Sequence, residues 1–160
     1  MMIDTKNIPF DIEDATRSKA WHDATPEVRQ KFVSSATTFA TMITYYADKY
    51  RAKKTLKGEF IACVLWDFYW DILETPVSYL DDELRQYYDT ADEFDGKTPL
   101  ENYSEVLLDQ AVHAKRWIKI LKKNYKADEA QITAMATDDD GKLNLDLVND
   151  FSAEYRDLFY

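Results

Sequence analysis

Glu59-Phe60-Ile61-Ala62-Cys63-Val64-Leu65-Trp66-Asp67-Phe68-Tyr69-Trp70-Asp71-Ile72-Leu73-Glu74 is the stretch that decides the fold of this chain. Its polar residues are Glu59, Asp67, Asp71 and Glu74, and the last three follow one another at steps of four and three. On a helix that spacing is one narrow wet stripe, with apolar surface over the rest. A helix apolar nearly all round must be surrounded by others. The stretch therefore predicts a central helix, about 59–74, in an all-α bundle.

The flanking segments supply the partners. In residues 26–53 the apolar stripe is Val28, Phe32, Ala36, Phe39, Ile43, Tyr46 and Tyr50, at steps of three and four. Residues 77–94 carry Val77, Leu80, Leu84, Tyr87, Ala91 and Phe94 in the same rhythm. Residues 99–126 carry Leu100, Tyr103, Leu107, Ala111, Ala114, Ile118, Leu121 and Tyr125, and 146–159 carry Val148, Phe151, Tyr155 and Leu158. Each reads as an amphipathic helix. Segments 10–22 and 129–137 read as shorter ones. Strand alternation is confined to Leu143-Leu145-Leu147, too brief to define a strand. The expectation is an all-α protein of six or seven helices forming a single domain over 1–160.

Punctuation supports these boundaries. Thr25-Pro26, Thr75-Pro76 and Thr98-Pro99 each place a capping hydroxyl before a proline, whose missing N–H has no partner in a first helical turn anyway. Thr98-Pro99-Leu100-Glu101 also has the layout of a capping box. Gly58, Gly96 and Gly141 fall between the periodic segments, where a chain break or positive φ is wanted.

Composition excludes several classes. The chain of 160 residues is 46% hydrophobic, far from a disordered profile. Cys63 is its sole cysteine, so no internal disulfide can form, and its apolar neighbours predict burial. No apolar run approaches the roughly 20 residues of a membrane span. The first residues lack the charged-then-apolar layout of a secretory signal, so a cytoplasmic protein without a membrane partner is expected.

The charge of −10 is local. Residues 81–160 hold nineteen Asp/Glu against ten Lys/Arg, a net of −9, whereas residues 1–80 hold eleven against ten, a net of −1. The acids form two blocks, 81–109 and 128–157, around a purely basic stretch. Between Asp81 and Asp95 stand Asp81, Asp82, Glu83, Asp89, Asp92, Glu93 and Asp95 against one Arg85. On a helix that stretch covers roughly 21 Å, about one acid per 3 Å of axis. One DNA strand presents a charge every ~3.4 Å. The sequence thus predicts a non-catalytic binding protein, in its sharpest form an acidic inhibitor or nucleic-acid mimic that occupies a basic groove on a nucleic-acid-handling protein. Its expected contact residues are Asp81, Asp82, Asp89, Asp92, Glu93 and Asp95, followed by Asp138, Asp139 and Asp140. No cofactor is expected.

Two other readings remain open on the sequence alone. Asp67 and Asp71 lie one turn apart, as do Asp109 and His113. Facing helices bearing carboxylates and histidine can hold divalent metals, which makes a metal-dependent helical enzyme the alternative. The usual Glu-x-x-His pairs are missing, however, and His22-Asp23 lacks the upstream histidine of a metal phosphohydrolase. Glu101, Glu105 and Asp109 run at spacing four, not the three of helical pyrophosphohydrolases. Asp138-Asp139-Asp140-Gly141-Lys142-Leu143-Asn144 fills part of a calcium loop, but Ala136 and Leu147 stand where its first and last carboxylates belong. The weaker alternative is nucleic-acid binding through 115–126, where Lys115, Lys119, Lys122 and Lys126 form one stripe interleaved with Trp117 and Tyr125. The net negative charge weighs against direct binding of that kind.

Overall fold

The computed structural model describes residues 12–88, 97–142 and 144, with residues 85–88 described by their backbone alone. It is all-α, with no β-strand among the described residues. In chain order the helices are α1 (Glu13–Thr16), α2 (Lys19–Asp23), α3 (Pro26–Arg51), α4 (Leu56–Tyr69), a π-helical turn (Trp70–Glu74), α5 (Thr75–Ser78), α6 (Leu80–Tyr88), α7 (Pro99–Val112) and α8 (Ala114–Met135). No helix among the described residues is long and apolar enough to cross a membrane. The segment 146–159, Gly96 and the Leu143-Leu145-Leu147 alternation lie outside the described residues.

The chain divides into two compact units, each discontinuous in sequence. The first comprises Met1–Thr41 and Trp70–Val112, the second Met42–Tyr69 and His113–Tyr160. In the first unit, Phe32 on α3 is fully buried, with Trp21 edge-on at 6.3 Å and Tyr103 tilted at 6.1 Å between ring centroids. Leu73, Val77, Leu84, Leu100 and Leu107 complete its core. In the second unit α4 is buried on nearly every side, through Phe60, Ile61, Ala62, Cys63, Val64, Leu65, Phe68 and Tyr69. Tyr125 of α8 meets Phe60 at 5.7 Å, and Trp117 meets Phe68 at 6.3 Å. The apolar surround expected of residues 59–74 thus belongs to α4, within its own unit.

Cys63 is buried as expected, at 1% exposure. Burial, and then the neighbouring Glu59 carboxylate, push its thiol up to about 12. Glu59 lies 3.2 Å from the Arg51 guanidinium, so the acid at the head of the decisive stretch is internally paired.

Several boundaries differ from expectation. Thr25 and Thr98 do cap their helices, accepting from Val28 and Glu101 backbone N–H at 3.2 Å. Thr75 does not. Glu74 before it is itself helical (φ −60°, ψ −51°), so helix continues through Thr75-Pro76 after the π-helical turn. The expected helix 99–126 is two helices. It breaks at His113, and α8 then continues to Met135, absorbing most of 129–137 with a kink at Asp128. Gly58 lies inside α4, needed for close approach and not for a chain break. Gly141 has the expected positive φ, +78°.

The π-helical turn carries its own compensation. In a regular helix the Ile72 carbonyl would accept from the N–H of residue 76, but Pro76 has none. The Tyr103 hydroxyl, from α7, donates to that carbonyl instead. Burial, then the nearby Glu83 carboxylate, raise the Tyr103 hydroxyl well above the usual phenol range, so it stays protonated as the donor. Tyr103→Phe is expected to cost about 1 kcal/mol by removing the donor from a part-buried acceptor. Adding Pro76→Ala restores a backbone donor and should recover part of that loss. Chemical denaturation of the double-mutant cycle reads the coupling, and strictly additive losses would refute the compensation.

Candidate functional site

Asp81 was expected on an interaction surface but has an internal role. Its two carboxylate oxygens accept from the backbone N–H groups of Lys19 and Ala20, at 2.9 and 3.0 Å. Those donors open α2, so Asp81 satisfies orphan groups of a helix some sixty residues away in sequence, at the positive end of that helix. Asp138 is likewise engaged. Its Oδ1 accepts from the backbone of Asp140 and Lys142, both at 3.0 Å, and folds the 138–142 turn on itself. Both carboxylates thus carry a structural role beside their charge. Asp82, Glu83, Asp139 and Asp140 are exposed. Asp89, Asp92, Glu93 and Asp95 lie outside the described residues.

The two units redistribute the charge seen along the sequence. The ranges of the first unit hold eighteen Asp/Glu against seven Lys/Arg, a net of −11. Those of the second hold twelve against thirteen, a net of +1. The 128–157 acids thus share a unit with both basic blocks of the sequence, 49–57 and 115–126, while 81–109 lies in the strongly acidic one. Even there some acids are neutralised. Lys97 and Lys31 reach Glu105 at 2.8 and 2.9 Å, and Lys31 reaches Glu101 at 3.3 Å. The Lys97 contact, then that of Lys31, hold the Glu105 carboxyl below the ordinary range.

The acidic unit contains a cleft of about 240 Å³. Ile72, Pro76, Leu84, Pro99 and Val106 give it apolar walls, and Asp71, Glu83 and Asn102 supply its polar groups. Asp71 sits there because the π-helical turn follows α4, and Glu83 because it belongs to the first turn of α6. On the sequence Glu83 belongs to the acidic run and Asp71 to the candidate metal set. Their spacing along the chain contains no sign that the two line one cleft.

The metal set itself is not assembled. Among the described residues, no group of three or more His, Cys, Asp or Glu is placed to hold a metal ion.

The basic stripe meets a second basic block. Within the second unit, Lys115, Ile118, Lys119 and Lys122 of α8 line a cleft with Tyr45, Tyr46, Lys49 and Tyr50 of α3, about 470 Å³ in volume. The interleaved aromatics of the stripe are not on that surface. Tyr125 is buried against Phe60, and Trp117 packs on Phe68.

No protein-family model matches this chain, and comparison with curated proteins and with solved structures gives no match.

Proposed function

We propose that this protein is a non-catalytic binding protein whose acidic unit engages a basic surface on another protein, in its sharpest form as an inhibitor that fills the nucleic-acid groove of its target. The observation that carries the reading is the cleft of the first unit, where apolar walls meet the carboxylates of Asp71 and Glu83. Lysine and arginine have the same division, an aliphatic stem and a cationic head. The stem would lie against Pro76, Leu84 and Val106 while the head faces carboxylate. Around it the unit's charge of −11 supplies the long-range attraction that speeds encounter with a cationic partner. Asp82 and Glu83 are exposed members of that field on α6, and Asp89, Asp92, Glu93 and Asp95 extend the acidic run along the sequence. Asp81 adds its charge to that field while its oxygens also hold the start of α2.

A defined arginine-rich peptide tests this directly. Association should slow about tenfold or more as ionic strength rises from low to physiological salt. The Asp71→Asn/Glu83→Gln pair should weaken binding about tenfold with little change in folding. An association rate flat with salt, or equal affinity in the paired variant, would overturn the proposal.

A further inference from the structure

We infer that the lysine–tyrosine cleft of the second unit binds a nucleotide, its phosphates on the α8 lysines and its base against Tyr45. The inference stands apart from the acidic cleft, which lies in the other unit. Lys49 of α3 and Lys115, Lys119 and Lys122 of α8 stand more than sixty residues apart in sequence, yet they line the same cleft. On α8 the steps of four and three place those three ammonium groups along one helix face. Among the described residues Lys49, Lys115 and Lys119 form no ion pair, although exposed carboxylates are plentiful in the chain. A cluster of like charges left uncompensated is costly unless an anion neutralises it.

The tyrosines divide the work. Tyr50 is already clasped, with Lys53 and Lys122 ammonium groups at 4.9 and 5.1 Å from its ring. That contact fixes Lys122 at the cleft wall. Tyr45 is different. It is 60% exposed, and Tyr46 meets it edge to face at 5.2 Å and 74°. That geometry braces one ring against another while leaving Tyr45 accessible to solvent. A braced, exposed aromatic beside unpaired lysines is the combination that single-stranded nucleic acids and nucleotides use, base on ring and phosphate on ammonium. The cleft volume lies within the range of small-ligand sites. An acidic peptide would satisfy the lysines but leave the ring unused.

The test uses the full chain and four probes at low salt: ATP without metal, inorganic tripolyphosphate, a twelve-residue oligothymidylate, and a polyglutamate peptide. ATP and the oligonucleotide are expected to bind. Lys115→Ala/Lys119→Ala should weaken both at least about tenfold. Tyr45→Ala should weaken both about fivefold or more and leave tripolyphosphate unchanged. All three positions are exposed, and unchanged melting curves confirm that the variants fold. An oligonucleotide much tighter than ATP, with a log–log salt slope of about −2 to −3, assigns the cleft to single strands. Equal affinity assigns it to free nucleotide. The inference fails if neither binds, if the lysine pair is without effect, or if tripolyphosphate or polyglutamate binds as tightly as ATP and Tyr45→Ala changes nothing. Every variant leaves Asp71 and Glu83 intact, so this failure is distinguishable from failure of the acidic cleft.

Discussion

Phe60→Ala is expected to remove about 3–5 kcal/mol of stability. Phe60 is fully buried on α4, the helix enclosed on nearly every side, and its ring lies 5.7 Å from Tyr125 of α8. The substitution loses transfer free energy and the aromatic pair, and leaves a cavity that a helix enclosed on all sides is ill placed to fill by collapse. At roughly 2–4 °C per kcal/mol for a chain of this size, the midpoint should fall by about 6–20 °C. Hydrogen exchange gives the sharper measurement, because amides of α4 and α8 should lose protection before those of α6 and α7. Phe60→Leu, which keeps most of the volume, should cost much less. A loss below about 1 kcal/mol for alanine would mean that α4 is not the packing centre of its unit.

Gly58→Ala should be the second most damaging single change, at about 2–3 kcal/mol net. In an isolated helix this substitution would be favourable by about 1 kcal/mol. Here a Cβ would stand 2.3 Å from the Tyr50 carbonyl oxygen and 3.1 Å from Thr55 Oγ1. The first neighbour is backbone, so a rotamer change cannot relieve the clash. The second is the cap that accepts from Gly58 N–H at 3.0 Å. Relief would require the turn between α3 and α4 to open, and that turn already holds Lys54 at φ +53°. Tyr50 also lines the lysine–tyrosine cleft, so the variant should lose nucleotide affinity along with stability. Urea denaturation and ATP titration of the same preparation read both effects. A stabilised Gly58→Ala would show that the approach of the two chain segments is looser than the structure has it.

How far the sequence could be read follows from what each feature depends on. The helical class rests on apolar spacing, which is local, and α3 and α4 appear close to where Val28–Tyr50 and Phe60–Tyr69 place them. Thr25 and Thr98 acted as caps because the rule needs only four consecutive residues. The same rule failed at Thr75, since a capping residue must stand outside the helix and Thr75 follows a helical Glu74 and is itself inside α5. The break at His113 has no glycine or proline to announce it, and the stripe through Leu107, Ala111 and Ala114 runs past it uninterrupted. The candidate sites were less legible because they are tertiary. Nothing near Asp81 indicates that it will cap α2, and nothing in 115–126 indicates that Tyr45 and Lys49 will stand opposite. Charge counted along the chain gave two acidic blocks. Charge counted within each unit gives one acidic unit and one nearly balanced unit, a partition that spacing alone does not contain.

The interleaving of the two units along the chain sets an order for biosynthesis. A ribosome adds about 5–20 residues per second, so roughly 2–9 s separate the end of α4 at Tyr69 from the start of α8 at Ala114. Through that interval the most apolar helix of the protein has emerged without the partner that covers Phe60 and Phe68. The acidic unit, complete in sequence at Val112, is made first and keeps the nascent chain strongly anionic while the greasy segment waits. Neither unit is one contiguous stretch, so no fragment carries one cleft free of residues from the other unit, and point substitutions are the cleaner way to tell the clefts apart.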